Sequence, residues 1–346
     1  MKASRHCSTP RRGELGSRPT GGPLPPNSGE RQDSPVVEKA EDMDQSRSDS
    51  YVESSRARRS CLSVPGSSER MLEKAMGLEA DEIVIDLEDS VVPEAKEPAR
   101  RQVARFLAGH RSGSAAVAVR VNPLEGPWGA ADVLELTRVA GSRIDSLIVP
   151  KVERAADIVE VERRLDSVGD GVAGVRLQAL IETAAGLVHV AEIAFCTPRL
   201  DSLILGYADL AASLGRAAAV TSPESWLYAQ ETLLVAARAS GLDAIDGPYL
   251  NVRDEPGLRL RAEHVHALGF DGKWAVHPRQ LPIINATFTP AAEQIARASA
   301  ILEALDAAGG SGAVELQGEM IDEASRKLAL RVMARSRAAR PGGARR

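Results

Sequence analysis

Eight short aliphatic runs, each followed by a longer stretch of helical periodicity, constrain the fold of this 346-residue chain more than any other feature. The runs are almost continuously apolar rather than alternating, as parallel strands covered on both faces are. They are Cys61–Val64, Glu82–Leu87, Ala116–Val121, Ser146–Val149, Arg176–Ile181, Ser202–Leu205, Ala244–Asp246 and Gly272–Val276. The intervening stretches place apolar residues at i, i+3 and i+4. Successive βα units without a linker predict an α/β protein with a single TIM (β/α)8 barrel.

The regions flanking the barrel have a different composition. Residues 1–57 are rich in Pro, Gly, Ser and charged residues without apolar periodicity, and they are predicted to be disordered, although a targeting role of the basic first residues stays open. The barrel is assigned to residues 58–307 and a C-terminal helical extension to 308–336. Helical stretches are predicted at Ala291–Leu305 and Met320–Ala334, separated by the glycine-containing segment Gly309–Gly312. Residues 337–346 form an Arg-rich tail.

Charge and cysteine content restrict the possible partners. A formal net charge of −5, with basic residues spread along the chain, predicts no nucleic-acid binding by the body of the protein. No apolar run has the length of a membrane span. Cys7, Cys61 and Cys196 are far apart and lack CxxC spacing, which favours a reducing cytoplasm, and Cys196 is interpreted as a buried apolar residue rather than a nucleophile.

Polar residues directly after the apolar runs are the candidate site residues, because active sites of such barrels lie at the C-terminal ends of the strands. These are Pro65–Gly66, the acidic segment Asp86–Asp89, Arg120 with Asn122, Pro150–Lys151, Glu182, Gly206 with Asp209, Asp246 and His277. Several carboxylates with one arginine and a single histidine indicate oxygen ligands for a hard cation, and Mg²⁺ is the predicted cofactor.

Each candidate has a simpler structural interpretation. Glu182 also fits an acid at a helix N-terminus. Asp209 and Arg120 also fit solvated charges or an ion pair. The acidic segment that contains Asp86 and Glu88 also fits a capping run before a helix, although three neighbouring acids repel one another unless a cation offsets them.

The strand-end motifs also resemble a known family. They are similar, in order, to those of the citrate lyase β-subunit group within the HpcH/HpaI aldolase and citrate lyase superfamily. The segments that carry the resemblance are Arg59–Gly66, Arg70–Ala75, Asp86–Val91, Val119–Pro123, Val149–Glu153, Leu180–Ala184, Leu205–Leu210, Gly269–Pro278 and Gly318–Asp322. Ser63 departs from the family pattern, which commonly has a bulky apolar residue there.

The resemblance implies roles for the acidic site. It implies one Mg²⁺ bound by Glu182 and Asp209, and contacts from Arg120 and Glu182 to the carboxylate product. Arg120 is also assigned to catalysis, together with Asp86 and Glu88 at the acidic strand end.

It implies further roles for the outer parts of the chain. Coenzyme A is expected against Arg59, Lys74 and Val276–His277. The C-terminal segment is expected to close over the site of a neighbouring subunit in a homotrimer or hexamer, where Asp322 acts as the catalytic acid.

The predicted function is retro-Claisen cleavage of a 3-hydroxy-dicarboxylyl-CoA, such as a citryl, malyl or citramalyl thioester, to an acyl-CoA and an oxo acid. A malyl-CoA thioesterase on the same scaffold is the nearest alternative. A CoA-independent pyruvate aldolase, a subunit of a larger citrate lyase with an acyl-carrier protein, and a non-catalytic scaffold that acts through its Arg-rich tails also stay open.

Overall fold

A computed structural model describes residues 57–110, 113, 115–216, 222–309 and 312–339. Eight parallel strands, paired in sequence order, close into a barrel. Their bounds are β1 Ser60–Pro65, β2 Glu82–Asp86, β3 Ala116–Arg120, β4 Ser146–Val149, β5 Arg176–Ile181, β6 Leu200–Leu205, β7 Asp243–Asp246 and β8 Gly272–Ala275. The predicted eight-strand (β/α)8 barrel is thereby confirmed.

Helices separate the strands and cover the barrel. Their bounds are α1 Glu69–Ala75, α2 Lys96–Gly109, α3 Gly129–Ala140, α4 Ala155–Asp166, α5 Ala184–Val188, α6 Val190–Ala194, α7 Tyr207–Ser213, α8 Leu227–Ser240, α9 Glu255–Leu268 and α10 Leu281–Phe288. Their apolar faces pack on outward-facing strand residues in one continuous core. None of the helices in the described ranges is long and apolar enough to cross a membrane.

The inside of the barrel is a second apolar core. Each strand contributes one buried residue to it: Cys61, Val84, Ala118, Ile148, Leu180, Ile204, Ile245 and Trp274. The barrel closes where β1 pairs with β8, with Cys61 opposite Trp274. Both faces of every strand are therefore apolar, which is the physical reason that the runs in the sequence do not alternate.

A polar network fills the N-terminal end of the barrel, the end at which the strands begin. The buried Arg58 guanidinium bonds to Glu82 Oε1 at 3.2 Å, Asp201 Oδ2 at 2.8 Å and Asp243 Oδ2 at 3.1 Å. Gln178 Nε2 donates to the same Glu82 oxygen at 2.9 Å. This network brings together four strands and the segment before β1, and it makes the N-terminal end a closed floor rather than an entrance.

The helix α11 Ala292–Ala307 ends the segment that was assigned to the barrel. The C-terminal extension after it contains a hairpin of β9 Val314–Leu316 and β10 Glu319–Ile321, and α12 Glu323–Ala338, which packs along α11. The prediction of a helix from Met320 is wrong for its first residues, which form the second strand of this hairpin. Gln317 and Gly318 both have positive φ, 53° and 86°, as the two central residues of a type I′ turn do. The helix itself begins only after Asp322.

The far end of α12 is fastened to the barrel of its own chain. Arg335 Nη2 donates to Asp271 Oδ1 at 2.7 Å and to the carbonyl oxygen of Phe270 at 3.2 Å, directly before β8. In the glycine-containing segment, Gly309 and Gly312 have positive φ, 61° and 62°. Most of the two predicted terminal segments, residues 1–56 and 340–346, lies outside the described residues.

Candidate active site

Five of the predicted polar residues meet at the C-terminal end of the barrel, namely Asp86, Glu88, Arg120, Lys151 and Glu182. Asp86 and Arg120 are the last residues of β2 and β3, and their positions pair in the sheet register. Arg120 Nε lies 2.7 Å from Asp86 Oδ1, and Arg120 Nη2 lies 2.6 Å from Asp86 Oδ2. The bidentate pair is buried, and the guanidinium carbon lies 5.5 Å from the centre of the Trp274 ring inside the barrel. This geometry fixes the plane of the arginine.

Asp86 accepts hydrogen bonds on both carboxylate oxygens. Besides Arg120, the backbone N–H of Glu88 donates to Oδ1 at 2.9 Å and that of Ser90 to Oδ2 at 3.1 Å. Burial opposes ionisation, but the hydrogen bond and charge of Arg120 and these N–H groups outweigh it and hold the pKa of Asp86 below its usual value. These contacts orient Arg120, and the catalytic role of Asp86 stays a prediction.

Glu88 lies on the other side of the guanidinium. Its Oε2 is 2.7 Å from Arg120 Nη1 but has no hydrogen bond of acceptable geometry, and its Oε1 accepts from Lys151 Nζ. Burial raises the pKa of Glu88 in spite of the two cations. The carboxylate thus links β2, β3 and the end of β4 across the mouth of the barrel.

The loop that carries these acids is held by Lys96, which was not predicted to belong to the site, and by Asn122, which was. Lys96 Nζ donates to the carbonyl oxygens of Leu87 at 3.1 Å and Glu88 at 2.9 Å, and it lies over the Trp128 ring. Asn122 Nδ2 donates to the Leu87 carbonyl at 3.0 Å. Lys96 is buried at the first position of α2. Its burial is not visible in the sequence, so its role in holding this loop could not be predicted.

Glu182 is the most perturbed carboxyl group of the site. It follows β5 and is 2% exposed, and its Oε1 accepts from the Lys151 backbone N–H at 2.9 Å. Burial, followed by the negative charges of Glu88 and Asp209, raises the pKa of Glu182 to about 8. A Cβ atom on Gly206 would lie 2.6 Å from the Glu182 carboxylate, so only glycine lets β6 approach so closely. The fold therefore brings acidic groups close together here, and Glu88 and Glu182 are buried away from water.

This donor set fits a magnesium ion. Among the described residues no three His, Cys, Asp or Glu side chains form a ready cage for a metal. Mg²⁺ does not require one, because it is commonly held by one or two carboxylates and completes its octahedron with water and substrate oxygens. Glu182 and the half-buried Asp209, whose negative charge acts on Glu182, are the pair predicted to hold it. A cation between them would offset the repulsion that raises the pKa of Glu182.

The raised pKa of Glu182 predicts how the stability of the metal-free protein depends on pH. Between its ordinary value of 4.5 and about 8, the folded chain keeps a proton that the unfolded chain releases. The free energy of unfolding should therefore fall by roughly 1–3 kcal/mol as the pH rises through this window. Urea denaturation in EDTA at several pH values measures it. Glu182→Gln should remove this part of the slope, and equal slopes in the variant and the wild type would contradict the assignment.

Asp246 and Cys196 take structural positions. Asp246 at the end of β7 accepts from Lys273 Nζ and from the Tyr207 hydroxyl, and Lys273 also donates to the Gly247 carbonyl at 2.7 Å. The pair is buried and partnered, so we assign Asp246 no contact with substrate. Burial, followed by the charge of Glu162, raises the pKa of the Cys196 thiol to about 11. Cys196 packs against the core but is only half-buried, so the prediction of a buried apolar residue is confirmed in part.

The residues predicted to bind CoA include positions at both ends of the barrel. Val276 and His277 follow β8 at the open end of the barrel, and Lys74 is exposed on α1. Arg59 instead precedes β1 at the opposite end. Its guanidinium binds both oxygens of Asp81 at 2.8 Å and donates to Thr289 Oγ1 at 2.7 Å. A residue before a strand lies one barrel length from the residues after the strands, and the contact of Arg59 with CoA stays a prediction.

Asp322 is not part of the acidic cluster of its own chain. It is the N-cap of α12, and its Oδ1 accepts from the Ser325 N–H at 3.1 Å. This backbone hydrogen bond, together with that of the Ser325 side chain, lowers the pKa of the exposed Asp322 carboxyl. The side chain therefore carries a negative charge at neutral pH in this position.

The fold and the comparisons define the class of protein, a carbon–carbon lyase on a (β/α)8 barrel. The model of the HpcH/HpaI aldolase/citrate lyase family matches residues 59–278, and the chain belongs to this family. It is 36% identical over 286 residues to an L-malyl-CoA/β-methylmalyl-CoA lyase of Cereibacter sphaeroides, with 77% of this chain and 90% of that protein covered. It is 40% identical over 285 residues to a (3S)-malyl-CoA thioesterase of the same species, with 81% and 95% covered.

A solved structure shows the same likeness. The CitE protein of Mycobacterium tuberculosis, in complex with magnesium, acetoacetate and coenzyme A, superimposes with a TM-score of 0.66 at 28% identity. The match covers 82% of this chain and 98% of that protein. The resemblance noted in the strand-end motifs is thereby confirmed.

Proposed function

We propose that this protein is a magnesium-dependent lyase that cleaves a 3-hydroxy-dicarboxylyl-CoA thioester to an acyl-CoA and an oxo acid. The observation that carries the proposal is the crowding of Glu182 and Asp209 next to a guanidinium oriented by Asp86. The two acids suit a hard cation, and the arginine suits a substrate carboxylate. The magnesium in the related CitE complex and the names of the lyase relatives support this proposal.

Different side chains hold the metal, bind the substrate carboxylate and deliver the proton. When bound, Mg²⁺ supplies electrostatic stabilisation of the negative charge that develops on the 3-oxygen of the substrate. Arg120 binds the substrate carboxylate through the N–H groups that Asp86 leaves free. The 3-hydroxyl loses its proton to solvent, the bond between C2 and C3 breaks as the 3-oxygen becomes the carbonyl of the released oxo acid, and C2 of the thioester enolate takes a proton from a carboxyl group. We assign this proton to Asp322 of a neighbouring subunit.

The arginine has a specific test. Arg120→Lys is expected to lower kcat/KM about a hundredfold. An ammonium group cannot form a bidentate pair with Asp86 and also donate hydrogen bonds to a substrate carboxylate. Steady-state kinetics with each CoA ester measures the change, and Arg101→Lys on the exposed side of α2 is the matched control. An unchanged kcat/KM would show that Arg120 has only a structural role.

Product analysis tests the proposed function. Malyl-, methylmalyl-, citramalyl- and citryl-CoA are incubated separately with enzyme and Mg²⁺, and the products are identified by mass spectrometry. A lyase yields an oxo acid and an acyl-CoA. The likeness to the thioesterase favours a second candidate, in which water attacks the thioester carbon and yields an intact hydroxy acid and free CoA. Absence of oxo acid from every ester would overturn the lyase.

Assembly belongs to the same proposal. We propose a homotrimer or hexamer in which the hairpin and α12 of one chain close the site of the next. The exposure of Asp322, of Met320 (69%) and of Leu328 (65%) supports it, because exposed apolar side chains near an exposed acid leave this segment available to a neighbouring chain. CoA bound near Lys74 and Val276–His277, and a cytoplasmic location, also stay predictions.

A further inference from the structure

The backbone at Lys151 has a rare conformation. Among the described residues only Lys151 and Gln317 are non-glycine residues with positive φ, 52° and 53°. Gln317 belongs to the hairpin turn of the extension. Lys151 lies two residues after the end of β4, in the mouth of the barrel. For a lysine, the left-handed conformation is less populated than the right-handed one by roughly a factor of ten. Such a conformation persists only where its surroundings enforce it.

The conformation lets one residue hold two acids. The Lys151 backbone N–H donates to Glu182 Oε1 at 2.9 Å, while its side-chain ammonium pairs with Glu88 Oε1. Glu88 follows β2 and Glu182 follows β5, so Lys151 connects them across the intervening strands. Because β4 before this residue and Val152 after it are both held by the barrel, a right-handed or extended residue here would force one of the two flanking peptides to rotate, which we expect to disturb the hydrogen bond to Glu182.

The surrounding structure holds the turn in place. The next residue, Val152, donates its N–H to the Leu180 carbonyl at 3.3 Å. The Val152 carbonyl lies so close to α5 that a Cβ atom on Gly186 would be 2.2 Å from it. Thr183 Oγ1 accepts from the Gly186 N–H at 3.0 Å and fixes the start of that helix. The turn is thus packed against the segment that carries Glu182.

We propose that Lys151 is a positioning residue of the active site, a role that rests on the proposed function. Its left-handed backbone fixes the metal-binding carboxylate of Glu182, and its ammonium group fixes Glu88 against Arg120. The two parts are separable by substitution. Asparagine tolerates the left-handed region but has no cation, whereas valine disfavours that region and also has no cation. Arginine keeps a cation.

The experiment compares Lys151→Asn, Lys151→Val and Lys151→Arg. Magnesium binding is measured by calorimetry without substrate, and kcat and KM by product formation. We expect Lys151→Val to bind Mg²⁺ about tenfold more weakly than Lys151→Asn. We expect Lys151→Asn to lose about 10- to 100-fold in kcat/KM, as supporting residues of metal sites do, and Lys151→Arg to recover most of the loss. Lys151→Ala replaces the valine variant should the latter not fold.

Equal magnesium affinity of the valine and asparagine variants would overturn the backbone role. An arginine variant no more active than the asparagine variant would overturn the ammonium role. Wild-type protein that neither binds Mg²⁺ nor cleaves any ester would refute the proposed function instead. Crystal structures of the metal-free variants then decide on Lys151: Glu182 Oε1 should stay within hydrogen-bond distance of the residue-151 N–H in Lys151→Asn and move away in Lys151→Val. An unmoved Glu182 in both would reject the inference.

Discussion

Glu182→Gln is expected to lower kcat/KM for the CoA ester about a thousandfold or more, because the charge stabilisation that a bound metal provides is worth several kcal/mol. The amide keeps the shape of the side chain and its acceptor for the Lys151 N–H, so the protein should stay folded. It removes the buried charge that Glu88 and Asp209 repel. The metal-free variant should therefore unfold at a higher urea concentration than wild type above about pH 7, while its activity is lost.

Asp209→Asn is expected to give the same loss of activity and of magnesium binding. Glu303→Gln, a change of the same kind at an exposed acid on α11, is the control and should behave as wild type. Full activity of wild type in excess EDTA, or undiminished Mg²⁺ affinity of Glu182→Gln by calorimetry, would contradict the assignment of these two residues as metal ligands.

Asp322→Asn is expected to lower kcat about a hundredfold or more, within the range that general acid–base catalysis contributes, and to leave CoA binding and assembly unchanged. Asparagine caps a helix about as well as aspartate, so the variant isolates the loss of the carboxyl group from any loss of α12. Entry into a neighbouring site would exclude water from Asp322, which raises the pKa of a carboxyl group and suits it to deliver a proton. Glu323→Gln, one residue further along, is the matched control.

Mixed oligomers test whether the site is shared. Inactive Asp322→Asn and inactive Glu182→Gln chains are mixed in equal amounts and allowed to exchange. If each site in a cyclic assembly combines the barrel of one chain with the extension of the next, about a quarter of the sites contain both wild-type residues. We therefore expect about a quarter of wild-type activity. Mass spectrometry establishes that the subunits have exchanged. Exchange without recovery would contradict a shared site, and full activity of Asp322→Asn alone would remove the residue from the mechanism.

The sequence determined the barrel and the location of the acids. Eight apolar runs predicted eight parallel strands within two residues of their observed bounds. The agreement is close because strands that are buried on both faces consist almost entirely of apolar residues. Since the strands of a barrel all end at one face, the positions of Asp86, Arg120, Glu182 and Asp209 after their apolar runs are enough to predict that they are neighbours. The hairpin before α12 was missed because the apolar residues Met320 and Ile321 fit a helical period as well as a strand.

Only the tertiary structure decided what each polar side chain contacts. Arg59 and Arg120 are both arginines next to strands, but one is bound to Asp81 at the closed floor and the other to Asp86 at the open mouth. The left-handed backbone of Lys151 and the burial that raises the pKa of Glu182 arise from chain segments distant in sequence. Periodicity reports which face of an element is buried, whereas ion pairing and desolvation depend on distances of a few ångströms that only the packed barrel sets.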